Sequence, residues 1–146
     1  MKIYLAGPLF SAAEQAWNAE LATGLRAAGH DVFLPQDKEP GLDAEAIFAT
    51  DRAGIDASDA LVAIVDGPDP DSGTAWECGY AFGKKPVVLV RTDLRARQGS
   101  ESAFNAMLSE SASVRLDLPL APMGEVIVAV LEALARLEPQ RHGGRG

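Results

Sequence analysis

Short apolar runs alternate along this chain with longer stretches whose apolar residues recur at helical spacing. A short apolar run bounded by glycine, proline or polar residues is typical of a buried strand, and the longer pattern is typical of an amphipathic helix. The predicted strands cover residues 2–6, 31–34, 60–65, 87–90 and 114–116. The predicted helices cover residues 12–28, 44–57, 71–82, 104–109 and 122–137. This alternation predicts an α/β fold, a doubly wound, five-stranded parallel sheet with helices on both faces.

One charged residue interrupts an apolar stripe on the second predicted helix. Ile47, Phe48 and Ile55 fall on one side of that helix, and Asp51 lies four residues from both Ile47 and Ile55. The spacing therefore places the Asp51 carboxylate on the same stripe. A charge in that position needs either a partner, such as Arg52 of another turn or chain, or a function. The spacing alone leaves both interpretations open.

Length and charge narrow the class of protein. The chain has 146 residues, and we predict a single domain over residues 1–137 and a flexible tail over residues 138–146. A net charge of −8 argues against a nucleic-acid polymer as partner, although a few arginines could hold a small anion. No apolar run approaches the ~20 residues that cross a bilayer, and no signal peptide precedes the first strand. We therefore expect a cytoplasmic protein with no membrane partner.

Turn or polar segments follow each of the first four predicted strands. They lie at residues 7–10, 36–37, 66–71 and 91–97, the last of these within a polar, irregular stretch over residues 91–103. The carboxyl ends of parallel strands meet at one edge of the sheet, where ligands bind in folds of this kind. The sequence therefore predicts a ligand site at that edge.

Two carboxylates stand out beside this edge. Asp71 is placed at the start of the third helix and Glu77 six residues later, among glycines and alanines that leave room for a ligand. Such a pair suits attack on a sugar carbon and proton delivery to a leaving group. The helix N-terminus is expected to favour an ionised Glu77. Glu77 could equally be a solvated surface residue, and Asp71 an ordinary helix cap.

Other chemistries find less support. Asp66, Asp69 and Asp71 lack the spacing of a calcium loop, so no metal site is predicted. Cys78 is expected in the core, and the two histidines, His30 and His142, lie in poor contexts for a triad. The sequence has neither GxGxxG nor a Walker loop, which disfavours a dinucleotide or ATP enzyme. No cofactor is expected.

Four segments together resemble the nucleoside 2-deoxyribosyltransferase family. They are YLAGPLF at residues 4–10, Asp51 ahead of the strand that begins DALVAI at residue 59, DSGTAWECGYA at residues 71–81, and FNAM at residues 104–107. The resemblance runs over residues 2–110, with a matching final helix. It implies a flavodoxin-like sheet and an active site completed across a subunit interface.

The resemblance also implies roles for particular residues. Glu77 would be the nucleophile that attacks the anomeric carbon, and Tyr4, otherwise expected as a core residue, would orient it. Asp71 and Asp51 would bind the base and handle its proton. Substrate-binding positions are Gly7, Phe10, which would pack on the nucleoside, and Asn105 with Met107, which would reach into a neighbouring subunit's site.

The resemblance leaves the substrate open. The partners would be a nucleoside or nucleotide and a free nucleobase, handled by a homodimer or a larger assembly with shared active sites. The first interpretation is base exchange on 2′-deoxynucleosides through a covalent deoxyribosyl–Glu77 ester, without a cofactor. The alternative is hydrolysis of nucleoside 5′-monophosphates, with Arg91, Arg95, Arg97 and Ser109 or Ser111 as phosphate donors. A third possibility is a nucleotide-binding sensor without turnover.

Overall fold

The computed structural model describes residues 1–37, 41–98 and 105–137. Its five strands are β1 (Lys2–Ala6), β2 (Asp31–Phe33), β3 (Ala60–Ile64), β4 (Val87–Arg91) and β5 (Val114–Asp117). All pair in parallel in the order β2-β1-β3-β4-β5. This is the flavodoxin-like order, so the predicted fold class is confirmed.

Five α-helices cover the two faces of the sheet. They are α1 (Ala12–Ala27), α2 (Ala44–Ala57), α3 (Ser72–Ala81), α4 (Ala106–Ser111) and α5 (Met123–Leu137). Helices α1 and α5 pack on one face, and α2, α3 and α4 contribute to the core on the other. The described residues include no helix long and apolar enough to span a membrane.

The predicted boundaries agree with most of these elements to within a residue. The polar stretch after β4 is the main correction, because Arg91 belongs to the strand and is buried, and a 3₁₀ turn follows at Leu94–Gln98. The predicted start of the fourth helix at Phe104 and the predicted tail over residues 138–146 lie outside the described residues.

The apolar stripe predicted on α2 does not enter the core as a whole. Ile55 is fully buried, but Ile47 and Phe48 are 47% and 51% exposed. Both exposed residues line a cavity rather than the sheet. Helical spacing identifies a shared face, but it does not say whether that face meets the core or a ligand site.

The edge of the sheet at the carboxyl ends of the strands is held together by Asp66, which follows Val65, the buried residue after β3. Its carboxylate accepts hydrogen bonds from Thr92 N, Thr92 Oγ1 and Asp93 N, at 2.5, 2.6 and 2.9 Å. Asp93 in turn accepts from Gly67 N at 2.7 Å. These bonds tie the loop after β3 to the loop after β4. Asp66 therefore serves the structure of the edge.

Candidate active site

Glu77 and Tyr4 meet across the face of the sheet covered by α2 and α3. The Tyr4 hydroxyl, on β1, donates a hydrogen bond of 2.5 Å to Glu77 Oε1, on α3. Tyr4 is fully buried and its ring stacks on Phe33 of β2, with centroids 5.1 Å apart. Parallel strands bring β1 beside the helix that follows β3, which is why two residues distant in sequence come together.

Burial controls the charge of this pair. Desolvation, aided by the negative charges of Asp51 and Asp71, raises the pKa of Glu77 to about 7, although the hydrogen bond from Tyr4 opposes the rise. Burial and the neighbouring Glu77 carboxylate also raise the pKa of Tyr4, so its hydroxyl keeps its proton. The sequence expectation that the helix N-terminus keeps Glu77 well ionised was wrong. Glu77 titrates near neutrality.

The position of Asp71 is compatible with both roles considered for it, a helix cap and a carboxylate near Glu77. It is the N-cap of α3, and its Oδ2 accepts hydrogen bonds from Thr74 N at 2.8 Å and from Thr74 Oγ1 at 3.0 Å. The buried Thr74 was missed in the sequence, although a threonine three residues after a cap is positioned to make such a bond. Asp71 also lies close enough to Glu77 for its charge to affect the pKa.

Asp51 faces an open cavity beside Glu77. The cavity has a volume of about 420 Å³ and lies between α2 and α3. Asp51 and Glu77 supply carboxylates to its wall, Arg52 lies on its rim, and the remaining wall is mainly apolar. Asp51 is half-buried. The position expected from spacing therefore puts this carboxylate on the cavity rather than on the protein core.

Aromatic side chains form one wall of the cavity. Phe48 and Trp76 line it, with their ring centroids 5.5 Å apart and the planes at 62°. Tyr80 stacks on Trp76 but is not among the residues that line the cavity. The sequence pattern identifies Phe48 only as part of the apolar stripe on α2. Its place three residues before Asp51, on the same helix face, was the available signal.

Two predicted substrate-binding residues near β1 lie away from this cavity. Gly7 follows β1 and is tightly packed, since a Cβ there would lie 3.2 Å from the Ile64 side chain and 3.3 Å from Asn18 Oδ1. Phe10 is 77% exposed. Neither is among the described residues that line the cavity with Glu77.

Asn105 and Met107 also lie apart from Glu77 within one chain. Asn105 caps α4, and its Oδ1 accepts a hydrogen bond of 2.9 Å from Met107 N. Both residues line a separate groove of about 580 Å³ between α3 and α4, which also includes Phe82. The Met107 side chain is 82% exposed.

Two of the arginines considered for phosphate binding lie close to the same aspartate. Arg91 Nε lies 3.7 Å from Asp93 Oδ1, and Arg95 Nη1 lies 3.0 Å from Asp93 Oδ2. Arg91 is 6% exposed. The expectation that Arg91 belongs to an open loop was therefore wrong.

Cys78 lies in the core of the protein. Cys78 is fully buried, and burial raises the pKa of its thiol to about 12, so it is a core residue as predicted. Among the described residues, no three His, Cys, Asp or Glu side chains are grouped in a way that could hold a metal ion.

A half-buried glutamate with a tyrosine partner and further carboxylates nearby, at the carboxyl edge of a flavodoxin-like sheet, is an arrangement expected of an α/β enzyme. The chain belongs to the nucleoside 2-deoxyribosyltransferase family, whose model matches residues 3–117. The family resemblance seen in the sequence is thereby confirmed. It is an enzyme of the kind that transfers deoxyribosyl groups.

Solved structures support this assignment. A conserved protein from Enterococcus faecalis V583 is 30% identical, with 94% of this chain and 99% of that chain covered and a TM-score of 0.73. A 2-deoxyribosyltransferase from Bacillus psychrosaccharolyticus is 26% identical, with 87% and 90% covered and a TM-score of 0.68. A CMP N-glycosidase from Clostridium botulinum, at 17% identity, 90% and 98% coverage and a TM-score of 0.66, shares the fold. No curated protein matches the chain.

Proposed function

We propose that the protein exchanges the nucleobase of 2′-deoxynucleosides through a covalent deoxyribosyl ester on Glu77. The observation that carries the proposal is the hydrogen bond of 2.5 Å from Tyr4 to Glu77 Oε1, at a cavity that Asp51 also lines. A carboxylate that is partly buried, oriented by a hydrogen bond and has a pKa raised to about 7 suits a nucleophile that must form an ester and later leave it.

The first step forms one bond and breaks another. A Glu77 oxygen attacks C1′, and the electron pair of the N-glycosidic bond leaves on the base nitrogen, which takes a proton. A second base then attacks C1′, loses its proton and releases the Glu77 carboxylate. A 2-deoxy sugar is favoured because a 2′-hydroxyl would withdraw electrons from a carbon that gains positive charge.

Asp71 and Asp51 have different roles toward the base. Thr74 N and Thr74 Oγ1 both donate hydrogen bonds to Asp71 Oδ2, which fixes the orientation of that carboxylate. Asp71 therefore acts as a fixed acceptor for the base. Asp51, on the cavity wall between the base and α2, carries the proton to and from the leaving nitrogen.

The site is completed by a second copy of the chain. Asn105 and Met107 lie outside the cavity of their own chain, and Phe82 and Met107 expose 59% and 82% of their surface beside the same groove. We assign this groove to the interface of a homodimer or a larger assembly. Asn105 would then bind the 5′ end of the sugar held by the partner. Cytoplasmic location and a role in nucleobase salvage stay predictions.

The proposal is tested by the mass of the intact protein. Brief exposure to deoxyinosine followed by an acid quench should add one deoxyribosyl unit, and peptide mapping should place it on Glu77. Glu77→Gln should remain unlabelled while keeping its fold. A label elsewhere, or base release by the wild type without any labelled species, would contradict the covalent route.

Free nucleosides are favoured over 5′-monophosphates because Arg91 and Arg95 are engaged with Asp93. Incubation with deoxyinosine plus adenine should give deoxyadenosine. Release of base from deoxynucleoside monophosphates alone, without transfer, would identify a hydrolase instead. Binding of nucleosides without any release of base would identify a sensor.

A further inference from the structure

An aromatic stack extends from the active-site cavity along the outside of α2 and α3. Trp76 lines the cavity beside Glu77, and its indole stacks on Tyr80 with centroids 5.1 Å apart and planes 9° apart. Phe48 meets the indole edge-on, at 5.5 Å. The Lys84 ammonium group lies 3.2 Å from the centroid of the Tyr80 ring.

This stack fixes the indole from one side. Tyr80 is outside the cavity lining, so it covers the side of Trp76 that faces away from the cavity. The cation–π contact from Lys84 and a hydrogen bond of 3.1 Å from the Tyr80 hydroxyl to Asp56 Oδ2 hold Tyr80 in turn. The Arg52 guanidinium lies over the Phe48 ring, 5.8 Å from its centroid. The cavity thus has an aromatic wall in which Trp76 is held by Tyr80 on one side.

We propose that Trp76 is a specificity-determining residue, which stacks on the nucleobase at the cavity and favours purines over pyrimidines. The inference rests on the proposed function, because the base that stacks is the one joined to C1′ at Glu77. Stacking strengthens with the ring area that overlaps, and a purine presents two fused rings where a pyrimidine presents one. Tyr80 acts through Trp76 and is a positioning residue.

The first test compares two substrates in three proteins. We measure kcat/KM for base release from deoxyadenosine and from deoxycytidine in the wild type, Trp76→Ala and Trp76→Phe. The purine-to-pyrimidine ratio should fall about 10-fold in Trp76→Ala and recover in part in Trp76→Phe. Trp76 is 48% exposed, so the variants should fold, which circular dichroism verifies. An unchanged ratio in folded Trp76→Ala overturns the inference.

The second test separates positioning from a general loss of stability. Tyr80→Leu removes the ring behind the indole, and Tyr80→Phe keeps it. In Tyr80→Leu, KM for deoxyadenosine should rise several-fold with a smaller change in kcat, and Tyr80→Phe should restore most of the loss. Equal effects on both nucleosides, or a change in kcat alone, would show that Tyr80 only supports the fold.

The third test does not need turnover. The chain has two tryptophans, so Trp17→Phe leaves Trp76 as the sole indole emitter. Free adenine should quench that emission at lower concentrations than cytosine does, and Trp76→Phe, which keeps Trp17, should not respond.

These measurements distinguish the two ideas. Quenching by adenine without base release from any nucleoside would overturn the proposed function and uphold stacking on Trp76. Base exchange with an unchanged purine-to-pyrimidine ratio in Trp76→Ala would uphold the proposed function and overturn stacking. Neither quenching nor release would overturn both.

Discussion

Glu77 carries opposing demands within one side chain. Partial burial shields the nucleophile from some of the solvent, but the same burial raises its pKa to about 7, where only part of the protein holds the ionised form. Tyr4 reduces this cost by donating a hydrogen bond to the carboxylate. Activity and charge at this position are therefore linked through pH.

Removing the Tyr4 hydroxyl should shift the pH dependence of activity. In Tyr4→Phe the carboxylate loses its hydrogen-bond donor, so the pKa of Glu77 rises further above its ordinary value of 4.5. The acid limb of kcat/KM, expected near pH 7 in the wild type, should shift upward by about one pH unit. A pH profile of base release measures both proteins. An acid limb at the same pH in both would show that Tyr4 does not tune the nucleophile.

Replacing Glu77 should stabilise the protein at alkaline pH. A carboxyl whose folded pKa lies near 7 and whose ordinary value is 4.5 favours the folded state less as pH rises through that window. The stability gained by Glu77→Gln should therefore be larger at about pH 8 than at about pH 5, by about 2–3 kcal/mol. Urea unfolding of both proteins at both pH values gives this difference. A gain that does not change with pH would contradict the assignment.

At the scale of elements, Asp71 both caps the start of α3 and takes part in the proposed reaction. Asp71→Ala removes the cap and should lower the free energy of unfolding by about 1 kcal/mol, while Asp71→Asn keeps a capping oxygen and should cost only a few tenths. Both remove the charge, so kcat/KM should fall by about 100-fold or more in each. Urea unfolding and base-release kinetics separate the two effects. Full activity in Asp71→Asn would reduce Asp71 to a cap.

Helix α2 also affects the Tyr4–Glu77 pair through ring packing. A Cβ at Gly54 would lie 2.5 Å from the Phe33 ring, and Phe33 stacks on Tyr4. Gly54→Ala should therefore displace Phe33, disturb the Tyr4–Glu77 bond and lower kcat/KM by about 10-fold or more.

Gly24→Ala is the matched control on the opposite face. A Cβ there would clash with Ile127, between α1 and α5. Both alanine variants should lose about 1–3 kcal/mol of stability, but only Gly54→Ala should lose activity in its folded state. Thermal melts and kinetics below the melting temperature compare them. Equal activities would show that the α2 packing is independent of the site.

The elements were predictable because their signals are local. The residues of β3 are all apolar, as expected for a strand buried on both faces, and Asp43 and Asp71 cap helices where the sequence places them. Two features could not be predicted from local signals. Periodicity could not reveal that Ile47 and Phe48 face a cavity, and the dipole effect on Glu77 was overestimated, since it fades within the first turn while burial persists.

At the scale of the whole molecule, one exposed apolar surface includes helix α4. Helix α4 presents Met107 beside the exposed Phe82. Neighbouring apolar residues of this kind are typical of an interface. The roles of Asn105 and Met107 could not be settled from a single chain, because the site proposed for them belongs to the partner.

The assembly can be tested with two substitutions of the same type. Met107→Glu should give monomers by light scattering and lose most activity, because a buried carboxylate would oppose the interface. Val128→Glu places the same charge on α5, at a residue that is 55% exposed on the other face of the sheet. It should leave the dimer intact. A monomeric wild type with full activity would refute the shared site.

The hydrogen bond between Tyr4 and Glu77 spans 73 positions of the chain. The segment that it closes contains β2, β3 and two long helices, so the bond forms only once these have assembled. A nascent or partly denatured chain should consequently be chemically inert toward nucleosides. Turnover therefore requires the completed tertiary structure. Loss of activity in denaturant should coincide with global unfolding.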